Sequence, residues 1–172
     1  MSAGKQAAIH LVEYSPEWPK MFEVEKGNLI CLLGGYLEGG IEHIGSTSVQ
    51  GLIAKPVIDI MFGVVSLDAS RGAIELLTRA GYQYSAYKGD IMHWFCKPSF
   101  EHRTHHLHLV PFESPLWSER LCFRDRLRSS EVLKQEYSSL KRELARRYQN
   151  EREAYTDEKW PFIESELSRD DG

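Results

Sequence analysis

One stretch constrains this chain more than any other: Ile41-Glu42-His43-Ile44, then Gly45-Ser46-Thr47-Ser48, a run rich in small residues to Pro56, and Val57-Ile58-Asp59-Ile60-Met61. It reads as a short apolar strand broken by a Gly-Ser turn, followed by a second apolar strand that carries one carboxylate. Gly45 lets backbone come close to an anion, and Ser46, Thr47 and Ser48 add hydroxyls and free N–H groups where a helical turn starts. Asp59 has apolar neighbours on both sides, and a carboxylate in such a setting needs a partner. A phosphate-binding turn facing a metal-binding carboxylate answers both halves together. An ordinary tight turn beside a strand-end cap answers each half alone.

The rest of the chain builds a frame around this stretch. Ile9 to Tyr14 alternates weakly, as a short edge strand or an extended lead-in. Ser15 offers a helix cap, with Pro16 and Pro19 in a first turn that tolerates proline, because the early N–H groups have no intrahelical acceptor. The helix runs to about Leu33 with Phe22, Leu29, Leu32 and Leu33 on its apolar side, Trp18 as a packing anchor and Gly34-Gly35 as its stop. Alternation from Pro56 to about Val65 puts Val57, Asp59 and Met61 on one face and Ile58, Ile60 and Phe62 on the other, against helices. Asp68 to Gly81 has Ala73, Leu76, Leu77 and Ala80 at helical spacing. Tyr82 to Tyr87, Ile91 to Lys97 and Thr104 to Phe112 read as strands, the first pair turned by Lys88-Gly89-Asp90. A helix through Phe123 and Leu127 precedes an amphipathic one carrying Leu133, Tyr137, Leu140, Leu144 and Tyr148, and Ala154 to Leu167 gives the last. Arg169 to Gly172 reads as a frayed tail. The pattern predicts one domain over residues 1–172, an α+β (mixed α/β) sheet packed with helices and ending in a helical segment.

Composition narrows the class. A 172-residue chain buries about 70% of its unfolded surface, enough for a sizeable core. No apolar run approaches the roughly 18 residues that span a membrane, and Met1 to Ala8 lacks a signal-peptide core, so the expected location is the cytoplasm. Cys31, Cys96 and Cys122 form no CxxC pair and are expected reduced and buried. The net charge of -4 is uneven: Arg120 to Arg152 holds 10 Lys/Arg against 5 Asp/Glu, so this segment carries +5 and the remainder -9. Such a segment is a solvated helix face with salt-bridge partners, or a cleft wall that contacts phosphates.

A second chemical feature is His105-His106-Leu107-His108-Leu109-Val110. In a strand His106 and His108 share one face about 7 Å apart. The expectation is that they meet Asp59 across neighbouring strands in one site. Mixed oxygen and nitrogen ligands favour Mn²⁺, Ni²⁺ or Zn²⁺ over Mg²⁺, with Glu42 as a reserve oxygen ligand. The imidazoles could equally bond a ligand phosphate directly, without a metal.

His43 to Val49, followed by Gly51-Leu52, Ala54-Lys55-Pro56 and Ile58-Asp59-Ile60, resembles the GrpB family, and the Gly-Ser turn ahead of an acidic strand resembles the nucleotidyltransferase superfamily pattern. The GrpB likeness continues through Tyr14, Pro16, Trp18 and Pro19, His106-Leu107-His108, Phe123-Arg124-Asp125 with Leu127-Arg128, and Tyr155-Thr156 with Lys159. It implies a nucleotidyltransferase-like sheet that holds a nucleotide or phosphorylated small molecule. Gly45, Ser46 and Thr47 would cradle the phosphates and Lys55, Arg124 and Arg128 neutralise them. Asp59, with a divalent ion and His108 nearby, would serve attack of an acceptor hydroxyl on the α-phosphate. The Arg124 and Arg128 match favours the cleft-wall reading of the basic segment and argues against tight RNA binding. One departure matters: many superfamily members carry Asp-x-Asp where this chain has Val57-Ile58-Asp59. That opens a second reading, a binding module that has lost its chemistry. A third, a histidine-triad-like hydrolase with His108 as nucleophile, is weakened by Val110 at the third histidine position.

Overall fold

The computed structural model describes residues 8–169. The expectation for Met1 to Ala8 lies, Ala8 apart, outside the described residues, as does the expected tail beyond Arg169. Helix α1 (Glu17–Leu33) starts where Ser15 Oγ accepts from Glu17 N at 3.2 Å, and a 3-10 turn at Gly34–Tyr36 ends it. Strands β1 (Ile41–Ile44) and β2 (Ile58–Val64) follow, then α2 (Arg71–Arg79), β3 (Gln83–Ser85), β4 (His93–Pro98) and β5 (Arg103–Pro111). Three helices close the chain: α3 (Pro115–Ser129), α4 (Glu131–Arg147) and α5 (Arg152–Leu167). Ser114 caps α3 and Ser130 caps α4, each hydroxyl accepting a backbone N–H of the first turn.

The five strands form one mixed sheet in the order β1-β2-β5-β4-β3. The β2–β5 pair is parallel and the other three are antiparallel. Alternation sorts the faces as the sequence predicts. Ile58, Ile60, Phe62, Phe95, Leu107 and Leu109 pack against α1 and α2, with Trp18 and Leu77, in the main core. The opposite face carries Ile44, Met61, Trp94, Cys96 and Val110 against Trp117 of α3. That second face also carries Asp59, His106 and His108, and the last three helices stand over it. Leu127, Leu133 and Tyr137 grip Val49 and Leu52, so the segment after the Gly-Ser turn is the floor on which those helices sit.

Several expectations shift. Of the two readings of Ile9 to Tyr14 the extended lead-in holds and the edge strand does not: the segment makes one isolated bridge, Val12 to Ala54, because it meets a loop rather than a sheet edge. Helix α2 starts at Arg71, after a turn in which Ser70 Oγ donates to Ser66 O at 2.8 Å and Arg71 pairs with Asp68. Cys31 is exposed, Cys96 buried and Cys122 half-buried, and all three are free thiols. Cys31 falls on the outer side of α1, where the apolar stripe does not reach.

An unexpected polar group ties α1 to the sheet. Glu25 lies on the buried face of α1, where Lys97 donates to it at 2.6 Å, Asn28 at 3.2 Å and the Tyr82 hydroxyl bonds it too. Burial raises the Glu25 carboxyl, but these donors outweigh burial and hold it below its ordinary value. Removing the cation leaves a buried charge unpaired, so Lys97→Met should lower stability by about 3 kcal/mol, read from the urea midpoint.

Candidate functional site

The parallel register sets Asp59 opposite His106 and Met61 opposite His108. All four side chains emerge on the face covered by α3 to α5. Asp59 Oδ1 lies 3.0 Å from His106 Nδ1 and 3.4 Å from His108 Nε2, and one ligand atom from each residue falls within 4.8 Å of the others. Donors bound to a common ion at roughly 2 Å stand roughly 3–3.5 Å apart, so the two distances from Asp59 match a metal-ligand set, and the trio could close on an ion with a small side-chain adjustment. Neutral imidazole nitrogens with one carboxylate suit Mn²⁺, Zn²⁺ or Ni²⁺. The second nitrogen of His106, Nε2, is buried without a partner among the described residues.

Charge in this trio is one-sided. Burial raises the Asp59 carboxyl, but the hydrogen bonds and charges of His106 and His108 prevail and hold it well below the ordinary carboxylate range. Burial lowers the His108 imidazole against the pull of Asp59. A deprotonated carboxylate beside a neutral imidazole is the protonation state a metal requires. Glu42 is not part of the trio: although it shares the face, Arg124 Nη1 holds its carboxylate at 2.6 Å. The reserve ligand is therefore consumed by an ion pair.

The Gly-Ser turn borders the trio directly. Gly45 has φ 72°, and a Cβ there would stand 2.6 Å from Asp59 Oδ2. The glycine thus makes room for the carboxylate itself, a closer constraint than the phosphate approach expected from sequence. The turn residues divide their labour. Thr47 Oγ1 donates to Val57 O at 3.0 Å and accepts from His43 Nε2 at 3.0 Å, with the His43 ring stacked on Phe22. Its hydroxyl is committed to the fold, contrary to the expected ligand role. Burial pushes the His43 imidazole down to about 4, which keeps it neutral in that bond. Ser46 faces the cavity, where Lys141 Nζ donates to its Oγ at 2.8 Å.

Above trio and turn lies a cavity of about 810 Å³. Its walls hold Lys55, Lys88, Lys141 and Lys159, together with Arg103, Arg120, Arg124 and Arg152. Against these eight cations stand three carboxylates, Asp59, Glu153 and Asp157. Lys55 reaches the cavity as expected. Arg124 does too, although Glu42, Asp125 and the His43 carbonyl already occupy its guanidinium. Arg128 stays outside the cavity walls: its Nε and Nη2 clamp Ser48 O at 3.0 and 2.8 Å, so it braces the turn from behind.

Most of this wall was not singled out from the sequence. Lys141, one of the later basic residues that a solvated helix face would hold along with Arg142, Arg146 and Arg147, is 1% exposed, while those three arginines are exposed. The signal was present in the heptad-like spacing: Lys141 follows Tyr137 by four, on the buried stripe of α4. Lys159 and Tyr155 stand one turn apart on α5, Arg103 opens β5 and Arg120 lies within α3. Only the docking of α4 and α5 over the sheet reveals that they share a space.

Comparisons with known proteins agree with this architecture. The family model described as GrpB protein matches residues 8–169. The chain belongs to the GrpB family. The glutamate-rich protein GrpB of Alkalihalophilus pseudofirmus is 37% identical over 165 residues, covering 93% of this chain and 94% of that one. A UPF0157 protein of Halalkalibacterium halodurans is 32% identical over 170 residues, covering 95% and 83%. The crystal structure of the conserved protein GrpB from Enterococcus faecalis superposes with a TM-score of 0.82 at 31% identity, covering 92% of this GrpB-family chain and 94% of the other. Those names carry no activity, so the chemistry rests on the site.

Two outcomes follow from this geometry. Gly45→Ala combines a Cβ against Asp59 with a backbone conformation that side chains rarely adopt, which costs about 1–3 kcal/mol. It should lower the melting temperature and weaken Mn²⁺ binding by calorimetry together. Burial, with Lys55 close by, pushes the Lys159 amine down to about 7, and burial, with Arg152 close by, pushes Lys55 down to about 8. The unfolded chain keeps both protons up to the ordinary lysine range, so between those limits it binds more protons than the folded chain, and stability rises with pH. The melting temperature of the ligand-free protein should therefore climb between pH 7 and 9, and Lys159→Gln should flatten the climb.

Proposed function

We propose that this cavity binds a nucleotide or related phosphorylated small molecule, together with a divalent transition metal held by Asp59, His106 and His108. The observation that carries the reading is the convergence of eight cationic side chains from six separate regions of the chain on one carboxylate–imidazole trio. Such a wall offers an anion charge-assisted hydrogen bonds in a partly desolvated space, where they are strong. Aromatic rings of Trp94, Tyr137, Tyr155 and Trp160 line the same cavity and suit the organic part of a nucleotide. Mg²⁺ fits less well, because it prefers an all-oxygen shell.

Nucleotidyl transfer is the reaction that the fold and these groups support best, by analogy with the nucleotidyltransferase superfamily. A divalent ion at the trio would polarise a phosphoryl oxygen and offset the charge that builds on it. Asp59 fixes the orientation of both imidazoles. Ser46 and Lys141 hold the turn against the cavity, and the cationic wall orients the phosphates for in-line displacement. Val57 supports the second reading, a binding module without catalysis, because it stands where a second carboxylate would complete an acidic pair. The third reading, hydrolysis through a covalent His108 intermediate, gains nothing: His108 Nε2 is turned to Asp59 and Nδ1 to Met92 Sδ.

Calorimetry with Mn²⁺ alone tests the trio. Asp59→Asn and His108→Ala should each weaken binding by at least about tenfold, and the double variant should lose little more than either single, as one shared site requires. Incubation with nucleoside triphosphates then separates the readings. Release of pyrophosphate supports transfer, and binding without release supports the silent module. Arg142 and Arg147 face solvent, with Glu13 and Glu143 as partners, so RNA retention in a filter assay should be weak and vanish with added salt.

A further inference from the structure

Three of the four cavity lysines are buried or half-buried, whereas Lys88 is exposed. Lys55 comes from the loop before β2, Lys141 from α4 and Lys159 from α5, and none has a carboxylate partner among the described residues. Lys55 and Lys159 share one aromatic ring, with ammonium groups 5.0 and 4.4 Å from the centroid of Tyr155. Lys141 lies 4.9 Å from the centroid of Tyr137 and otherwise bonds neutral oxygens, Ser46 Oγ and Ile53 O. Rings and neutral oxygens stabilise a cation weakly compared with an anion. Buried like charges without a counter-ion are costly, and burial with repulsion from neighbouring cations pushes all three amines below the ordinary lysine value. A single phosphate with two charges would leave this cluster and the nearby Arg120 and Arg152 under-neutralised.

We propose that Lys55, Lys141 and Lys159 form a subsite for a polyphosphate chain, so that the ligand of this cavity carries at least two linked phosphates. The inference rests on the phosphorylated-ligand reading above and deepens it. The three ammonium groups arise from separate elements, so a chain of phosphates bridges loop, α4 and α5, whereas one phosphate reaches fewer of them. The same chemistry serves an inorganic polyphosphate and a nucleoside polyphosphate. Filling the subsite also restores the charged form of the amines: Lys159 faces Lys55, Arg120 and Asp59, and Lys55 faces Arg152, Arg103 and Asp59, so an added polyanion favours protonation of both.

The test is a calorimetric ladder at pH 8 with Mn²⁺ present, using orthophosphate, pyrophosphate and tripolyphosphate in one arm and AMP, ADP and ATP in the other. Each added phosphate should tighten binding roughly tenfold, the size of one charge-assisted contact. Lys55→Gln and Lys159→Gln, each of which removes a buried charge and should leave the folded state at least as stable, should flatten the ladder while leaving binding of Mn²⁺ alone in place. The measured enthalpy should vary with the ionisation enthalpy of the buffer, the signature of proton uptake. A ladder in the inorganic arm alone identifies free polyphosphate as the source, and a steeper ladder in the nucleotide arm identifies a nucleoside polyphosphate. Monophosphates that bind as tightly as triphosphates, with both variants unchanged, overturn the subsite and leave the phosphorylated-ligand reading standing. If none of the six compounds binds, both fall.

Discussion

The parallel pairing of β2 with β5 is the contact on which the site depends. It joins strands separated by α2 and a hairpin, and its register alone decides that Asp59 sits beside His106 rather than beside Leu107. A slip of one residue would turn Asp59 into the main core and bring an apolar side chain out to the cavity. The register is held firmly because Ile58, Ile60 and Phe62 must all enter the core with Leu107 and Leu109. Apolar burial on one face of the sheet therefore positions polar chemistry on the other.

Local pattern revealed what local pattern controls. Face alternation along β2 and β5 follows from residue spacing along single strands, and it put Asp59 and the two histidines on faces that could meet; the strand pairing then brought them together. The sequence was less informative wherever a side chain's partner lies far along the chain. Glu42 meets Arg124 across 82 positions, and Arg128 meets Ser48 across 80, so neither role could be read from a motif. Thr47 illustrates a subtler failure: a hydroxyl in a Gly-Ser turn suggests a ligand contact, but a buried histidine and a free carbonyl claimed it first. Lys141 illustrates the opposite error, since a lysine on an amphipathic helix is usually solvated.

The electrostatic organisation is asymmetric by layer. On the α1 side of the sheet, Glu25 is matched by Lys97, Tyr82 and Asn28, a closed network in which each charge has its counterpart. On the α3–α5 side, cations gather around Asp59 without equivalent matching. The first arrangement serves cohesion. The second leaves a largely unmatched positive field over Asp59, an arrangement that costs stability rather than adding to it.

Lys141 has a further consequence for how the molecule is put together. It crosses from α4 to Ser46, joining parts of the chain 95 positions apart, and Tyr137 and Leu133 close over Val49 and Leu52 beside it. The β1–β2 and β3–β4–β5 pairings join neighbours in sequence and β2–β5 links the two groups, but the cavity has no second wall until the final helices dock. Docking must bring mutually repelling amines toward one another, which sets apolar closure of the helices against electrostatic opening. Repulsion among these amines thus favours a breathing of α4 and α5 away from the sheet, the movement that would open the cavity most directly.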